Sequence, residues 1–183
     1  MGGTCPPVPI GSYAHDPEDL HILLCAATGR AAYNIRGTTF HQAFAFGYIL
    51  IKELARTRKL SDDVRSTLYS RYRHLKIIII DEISLVGSTM LQAINRALQD
   101  IFRNNLPFGG ISLFVFGDLN KLKPISDMWV FQTLKDVTMP NLWEHFQLYE
   151  LTEIMRQKED KLFATALSNL AVAATTNEDN KLL

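Results

Sequence analysis

The sequence has few cysteines, no long apolar run and no net charge, and each absence excludes a class of protein. Its two cysteines, Cys5 and Cys25, lie far apart, which supports neither a disulfide framework nor a zinc site. No apolar run approaches the roughly 20 residues of a membrane-spanning helix. The first residues lack the basic-then-apolar pattern of a secretory signal. These absences predict an intracellular protein with no membrane partner, and nothing in the sequence indicates an obligate protein partner.

Charge is balanced overall but unevenly distributed. Nineteen basic and nineteen acidic side chains cancel, which argues against a constitutively basic nucleic-acid binder. Residues 30–76, however, hold ten Lys or Arg side chains against three acidic ones. This region either faces phosphate or is a solvated helical surface, and charge alone does not separate the two interpretations.

Composition divides the 183 residues into three segments. Residues 1–19 have no Lys or Arg, several prolines and no apolar periodicity, which predicts an irregular leader. Residues 20–175 alternate apolar runs with helical periodicity, which predicts an α/β domain with a mostly parallel sheet. Residues 176–183 form a polar tail.

Apolar periodicity and capping residues predict the individual elements. Besides the isoleucine run considered next, the predicted strands cover 21–26, 111–116 and, more weakly, 146–151. The predicted helices are one around 30–35 that ends at Gly37, one over 43–57, one capped by Ser61, one capped by Ser88 and one over 158–175.

The most informative segment is KIIIIDEIS at 76–84, in which four isoleucines run directly into Asp81 and Glu82. A short continuous apolar run is typical of a strand buried on both faces of a parallel sheet, and ligands bind at the carboxyl end of such strands. Asp81 is expected to hold a hydrated Mg²⁺ ion, and Glu82 to polarise an attacking water, as in the Walker B segment of nucleotide triphosphatases. The alternative is that both acids merely cap the next turn.

Two further charged residues follow predicted strands. Asp118 ends the strand over 111–116, and the carboxyl ends of neighbouring parallel strands share one edge, so Asp81 and Asp118 should converge on one ligand. The side chains of the loop after Gly117 are expected to sense the terminal phosphate. The alternative is a simple turn, of which a Gly-Asp pair is also typical. The guanidinium of Arg156 has several N–H donors in a fixed fork, which suits a contact with the γ-phosphate. The alternative is that Arg156 is a surface residue.

Two segments carry the features of phosphate or nucleic-acid contact. AATGRAA at 26–32 puts a hydroxyl and a glycine at a strand-to-helix junction, where free amides suit an anion, either nucleotide phosphate or the DNA backbone. GTTFH at 37–41 adds hydroxyls, a ring for base stacking and an imidazole, a mixture found where single strands are gripped. His41 is alternatively a structural hydrogen-bonding residue.

Taken in order, these segments resemble one family, the Pif-type (petite integration frequency) ATP-dependent DNA helicases, including the helicase portions of Helitron-like mobile elements. The resemblance covers roughly residues 20–172. The matching segments are AATGRAA at 26–32, GTTFH at 37–41, IDEISLV at 80–86, PFGG at 107–110, FGD at 116–118 and LTEIMRQ at 151–157.

The resemblance implies part of a first motor domain, with the three-layer RecA-like fold of P-loop NTPases. The residues implied are Asp81, Glu82 and Arg156 for catalysis, Asp118 and Lys121 for phosphate sensing, and Thr28, Gly29, Arg30, Thr39 and His41 for DNA contact. Asp81 would hold Mg²⁺ through water. The implied substrates are ATP, single-stranded DNA and duplex junctions, with 5′-to-3′ unwinding in DNA repair, recombination and telomere maintenance, in the nucleus or mitochondrion.

The sequence departs from the family in three respects. The glycine-rich loop that ends in Lys and Ser or Thr has no match, since Cys5-Pro6-Pro7 follows Gly2-Gly3-Thr4 and proline has no amide donor. Lys121 and Lys123 stand where the family has glutamine and proline. The second motor domain and its arginine finger have no counterpart here. We therefore expect the isolated chain to hydrolyse ATP negligibly.

Two other functions remain open. The first is a non-catalytic module that binds single-stranded DNA or a partner and derives from a helicase domain. The second is another P-loop ATPase, such as a switch or loader, in which the Thr39-Phe40-His41 segment has no obvious role.

Overall fold

In the computed structural model, residues 19–46, 55, 59–121, 123–132, 140–152, 160–171 and 173–182 are described. Within this part, four strands form one parallel sheet in the order β2-β1-β3-β4. The strands are β1 (Ile22–Ala26), β2 (Thr38–Thr39), β3 (Ile77–Asp81) and β4 (Ser112–Val115). The helices are α1 (Gly29–Asn34), α2 (Phe40–Ala43), α3 (Asp62–Tyr72), α4 (Ser88–Phe102), α5 (Lys161–Ala171) and α6 (Asp179–Leu182). The predicted parallel α/β architecture is confirmed.

Short 3₁₀ turns complete the described elements. They lie at Ile83–Leu85, Pro107–Gly110 and Leu142–His145. Among the helices that the structure describes, none has the length and apolar character to cross a membrane.

One side of the sheet, the core face, is buried along β1 and β3. Successive side chains of a strand point to opposite faces, so Leu23, Cys25, Ile78 and Ile80 share this face. All four are buried in the main hydrophobic core. Helices α3 and α4 supply the side chains that cover them, namely Leu68, Tyr72, Leu91, Ile94, Leu98 and Ile101. The helical periodicity of the sequence therefore marks the residues that close this face.

The opposite side of the sheet, the open face, is covered only in part. It carries the alternate residues of the strands, which are Ile22, Leu24, Ile77, Ile79, Ser112 and Phe114. At its carboxyl end, Ala26 is buried against Ala31 and Ala32 of the six-residue helix α1. Because α1 is so short, Ile22 and Phe114 stay about half exposed. The prediction that the isoleucine strand is buried on both faces is thus wrong for the open face.

Gly37 has a different role from the predicted helix stop. Helix α1 ends at Asn34, and Arg36 adopts the left-handed conformation with φ of 53°. Gly37 instead lies against β1, where a Cβ atom would come within 2.4 Å of the Leu24 carbonyl oxygen. Glycine is needed at this position because the backbone of β1 approaches too closely for any side chain.

Helix α4 begins where the sequence predicts, but its cap comes from a distant residue. Gly87 precedes the helix and Ser88, the predicted cap, is its first residue. The Asp127 carboxylate accepts hydrogen bonds from Thr89 N at 3.3 Å and Met90 N at 3.2 Å. A carboxylate at this end satisfies free amides and suits the helix dipole. Asp127 therefore ties the loop after β4 to the start of α4.

The remaining predicted elements have mixed outcomes. Helix α3 follows Ser61, and α5 lies within the predicted 158–175 segment. Most of the helix predicted over 43–57 lies outside the described residues. The prediction of a weak strand over 146–151 is wrong, because residues 146–152 form no strand and Leu148 and Leu151 are exposed. An apolar run alone does not make a strand when no neighbouring strand completes its ladder.

Alkaline pH should destabilise the fold through two acidic groups of the core. Burial raises the pKa of the Cys25 thiol from 9.0 to about 12 and that of the Tyr72 hydroxyl from 10.0 to about 12. Both groups ionise at lower pH in the unfolded chain than in the folded one. The free energy of unfolding is therefore at its full value below pH 9.0 and falls as the pH rises toward 12. Urea unfolding should show a loss of roughly 2 kcal/mol by about pH 10.5. A free energy of unfolding that stays flat over this range would contradict the burial of the two groups.

Candidate functional site

The loops that follow β3 and β4 are joined by backbone hydrogen bonds. Phe116 N donates to Ile80 O at 2.8 Å, and Ile83 N donates to Phe116 O at 2.9 Å. Gly117 permits this contact, since a Cβ atom there would lie 2.8 Å from Ile83 N. The two loops therefore leave the sheet at one edge, where Asp81 ends β3 and Asp118 follows β4.

The turn after β3 fixes both of its carboxylates. Asp81 is the last residue of β3, and its Oδ1 accepts a hydrogen bond from Glu82 N at 2.9 Å. Glu82 takes the left-handed conformation, with φ of 53° and ψ of 52°. This conformation is uncommon for a residue with a side chain and occurs where the surrounding structure enforces it. Here the hydrogen-bonded loop from β4 supplies that restraint.

Glu82 forms an ion pair with Lys121. Lys121 Nζ lies 3.3 Å from both Oε1 and Oε2 of Glu82. Asp118 builds the turn that brings the lysine back: its Oδ1 accepts from Asn120 N at 2.9 Å, and its carbonyl oxygen accepts from Lys121 N at 3.2 Å. The side chains of Lys121 and Glu82 are 50% and 31% exposed. The predicted phosphate-sensing pair, Asp118 and Lys121, is therefore one structural unit that contacts Glu82.

A cleft of about 590 Å³ opens beside this ion pair. It is bounded by α1 on one side and by the two joined loops on the other. The lining residues are Thr28, Arg30, Ala31, Asn34, Glu82, Ser84, Leu85, Asn120 and Lys121. Ser84 is 1% exposed, and no described residue forms a hydrogen bond with its Oγ. The cleft thus combines two cationic side chains, one carboxylate and an unsatisfied hydroxyl.

Ser84, Asn34 and Asn120 are site residues that the sequence reasoning missed. Ser84 stands two residues after Glu82, and this closeness in sequence is the feature that could have identified it as a site residue. Asn34 ends α1, one helical turn after Arg30, and its position in the cleft follows only from the packing of α1.

The predicted DNA-contact residues around Thr28 form the start of α1. Thr28 caps the helix, and its Oγ1 accepts from Ala31 N at 3.2 Å. Gly29 faces open space, with no atom near the position of an added Cβ, and Arg30 is exposed in the cleft lining. The Thr28 hydroxyl is therefore used within the helix, whereas Arg30 is available to an anion.

Thr39 ends β2, the strand next to β1, and His41 follows it in α2. The register pairs Thr39 with Ala26 and Ala26 with Asp81, so these three residues run in a row across the edge of the sheet. Thr39 caps α2 by accepting from Gln42 N at 3.4 Å. His41, in the first turn of α2, is exposed. The predicted DNA side and the predicted nucleotide side thus share one edge. Arg156 lies outside the described residues, and its role stays a prediction.

The carboxylates at this edge fit a magnesium ion held mainly by water and phosphate. Among the described residues, no group of three or more His, Cys, Asp or Glu side chains forms a metal cage. Mg²⁺ commonly takes only one or two protein carboxylates and completes its shell with waters and substrate phosphates. Asp81, with Asp118 at the same edge, offers oxygen ligands of that kind.

Solved helicase structures share this fold. The crystal structure of Candida albicans Pif1 helicase matches 88% of this chain and 36% of its own, with 30% identity and a TM-score of 0.72. The Bacteroides Pif1 helicase in complex with ADP-AlF3 and single-stranded DNA matches 87% of this chain and 38% of its own, with 28% identity and a TM-score of 0.70. The predicted RecA-like α/β fold is therefore confirmed.

Relatives with similar sequences belong to the same family of helicases. The ATP-dependent DNA helicase PIF1 of Candida albicans is 35% identical over 81% of this chain and 17% of its own length. The ATP-dependent DNA helicase RRM3 of Saccharomyces cerevisiae is 31% identical over 77% of this chain and 20% of its own length. The chain thus spans about a fifth of these relatives. The model of the PIF1-like helicase family matches residues 14–174, and the chain belongs to that family.

Proposed function

We propose that this chain is part of the first motor domain of an ATP-dependent DNA helicase. The observation that carries the proposal is the pair of hydrogen-bonded loops that bring Asp81, Glu82, Asp118 and Lys121 to one edge of a parallel sheet. In such sheets the ligand binds outside the carboxyl ends of the strands. Unwinding in the 5′-to-3′ direction, roles in repair, recombination and telomere maintenance, and a nuclear or mitochondrial location form part of this proposal.

Each carboxylate has a separate chemical task. Asp81 would hold Mg²⁺ through water, and the ion when bound would neutralise charge on the phosphates. Glu82 would accept the proton of the attacking water. In the structure, Lys121 engages both oxygens of Glu82 and therefore competes with that water for the carboxylate. A terminal phosphate offers Lys121 another anion, which supports its proposed role as the phosphate sensor, with Arg156 as a second cation.

Single-stranded DNA would cross the same edge beside β2. His41 is exposed and could contact a base, while Thr39 lies next to it in the row that leads to Asp81. Arg30 adds a positive charge at the cleft for a backbone phosphate. Because only Ala26 of β1 separates Thr39 from Asp81 in this row, a change at the phosphates has a short path to the DNA.

The ion pair also favours a second candidate, a non-catalytic module that binds single-stranded DNA. Lys121 occupies acceptor sites on both Glu82 oxygens and leaves fewer of them for an attacking water, whereas DNA binding through His41 and Arg30 needs no free carboxylate. The two candidates differ in whether ATP turnover appears in a polypeptide that joins this chain to a glycine-rich phosphate loop and a second motor domain.

The chain alone should bind a fluorescent single-stranded oligonucleotide and release no phosphate from ATP above a protein-free blank. In anisotropy titrations, His41→Ala should weaken binding by about threefold to tenfold, because stacking and phosphate contacts each contribute about 1 kcal/mol. His145→Ala is the matched control, since His145 is also exposed but ends the 3₁₀ turn at Leu142–His145. Equal affinities for both variants would return His41 to a structural role. Absence of any binding would remove the second candidate.

A further inference from the structure

A turn in the loop after β4 carries two stacked aromatic rings. Trp129 and Phe131 flank Val130, which is 2% exposed and belongs to the hydrophobic core. The two ring centroids lie 5.6 Å apart, with an interplanar angle of 15°. Phe131 is 40% exposed, and Trp129 is partly exposed. Val130 thus anchors the turn, while the rings on either side of it, the aromatic platform, reach solvent.

Hydrogen bonds of the backbone hold this turn against the start of α4. Trp129 forms an antiparallel bridge with Gly87, and Ser88 N donates to Met128 O at 3.1 Å. The Asp127 carboxylate, which caps α4, also accepts a hydrogen bond from Met128 N at 2.8 Å. A surface that is positioned before its ligand arrives loses little conformational entropy on binding. The aromatic platform is therefore preorganised for a flat ligand.

The aromatic platform lies at the carboxyl end of the strands. Gly87, its partner in the bridge, follows the 3₁₀ turn at Ile83–Leu85, which begins directly after Glu82. The loop over 117–132, which carries the platform, leaves the sheet after β4 at the same edge. The platform and the candidate site for nucleotide and DNA are therefore at the same end of the sheet.

The charges of the loop over 117–132 favour an anionic ligand. Its two acidic side chains, Asp118 and Asp127, already accept hydrogen bonds from backbone amides. Its two lysines, Lys121 and Lys123, are both exposed. Aromatic rings beside cationic side chains are typical of surfaces that bind single-stranded nucleic acid, where bases stack on the rings and the cations contact phosphates.

We propose that the aromatic platform stacks against an unpaired base of single-stranded DNA, with Lys123 in contact with a neighbouring phosphate. This inference rests on the proposed function and extends it, because it adds a base contact on the loop after β4 to the DNA contacts at His41 and Arg30. Bases within a duplex already stack on each other, so the platform selects unpaired DNA. Every base has a π-face, so the contact tolerates any sequence.

The test follows the fluorescence of Trp129 in the full 183-residue chain. The chain has two tryptophans, so Trp143→Phe leaves Trp129 as the only one. The probes are a labelled thymidine oligonucleotide and a labelled strand of equal length without bases, which carries the same phosphates. The thymidine strand should quench Trp129 in step with its binding measured by anisotropy, because a base stacks beside the indole. The strand without bases should leave the fluorescence of Trp129 unchanged.

A substitution in the aromatic platform gives a second readout. Phe131→Ala should weaken binding of the thymidine strand by at least about fivefold, because the stacking surface is lost. It should leave binding of the strand without bases unchanged. Phe114→Ala is the matched control, since Phe114 is also an exposed phenylalanine, at 53%, but lies in β4 on the open face. Its affinity for both strands should equal that of the unsubstituted chain.

Three results would overturn the inference. They are binding of the thymidine strand without quenching of Trp129, equal quenching by both strands, and a dimer that forms without DNA and itself changes the fluorescence of Trp129, which would assign the platform to a second copy. The first two leave the proposed function standing, since DNA still binds. Absence of any oligonucleotide binding would overturn both the inference and the proposed DNA contacts. The fluorescence readout needs no substitution in the platform, so it decides the question even if Phe131→Ala unfolds.

Discussion

Glu82→Gln should abolish ATP turnover in a longer version of this protein that supplies a glycine-rich phosphate loop and a second motor domain. Glutamine keeps the size of the side chain, but its amide cannot accept the proton of the attacking water. A positioned general base contributes about 10²-fold to 10⁴-fold, so kcat should fall by roughly 10³-fold. Nucleotide binding should stay measurable because Asp81 and the rest of the edge are unchanged. Phosphate release and the binding of labelled nucleotide give the two readouts.

Two controls separate loss of chemistry from loss of fold. Glu82 and Lys121 are both substantially exposed, and exposed ion pairs contribute little to stability, so the melting temperature should not change. Glu150→Gln, at an exposed position, should leave turnover unaffected. Wild-type turnover in the Glu82→Gln variant would remove Glu82 from the mechanism.

The parts of the structure that sequence predicts are those encoded in short stretches. The strand formed by the isoleucine run, with Asp81 at its end, is predictable because a strand and its period are recognised from neighbouring residues alone. Helix α4 follows from the spacing of Leu91, Ile94 and Leu98 for the same reason. Once both strands are known to be parallel, the placement of Asp81 and Asp118 at one edge of the sheet follows from topology alone.

The contacts that define the site join residues far apart in sequence, which is why local patterns do not contain them. Lys121 pairs with Glu82 across 39 positions, and Asp127 caps α4 across 37 and 38 positions. Both depend on how the loop after β4 returns to the sheet. That no described residue bonds the buried Ser84 hydroxyl is likewise a property of packing, since any serine after a strand has the same local signature.

The difference in burial between the two faces of the sheet is also not predictable from a sequence pattern. Ile77, Ile78, Ile79 and Ile80 are chemically identical, so the run predicts equal burial on both sides. The structure buries Ile78 and Ile80 fully under α3 and α4 and leaves the other two partly accessible. Which face is covered depends on the direction of each crossover, a property of the whole sheet.

Ile80→Ala should cost far more stability than the same substitution at its neighbour Ile79. Ile80 is fully buried on the core face, and removal of a buried isoleucine costs about 2–5 kcal/mol through lost apolar contact and the cavity that remains. Ile79 is only half-buried on the open face, so roughly 1 kcal/mol is expected. Both changes delete the same atoms from one strand, and their effects on strand propensity are matched. Urea unfolding at neutral pH measures the difference.

Losses of equal size would mean that the open face is buried in solution and would contradict the asymmetry of the sheet.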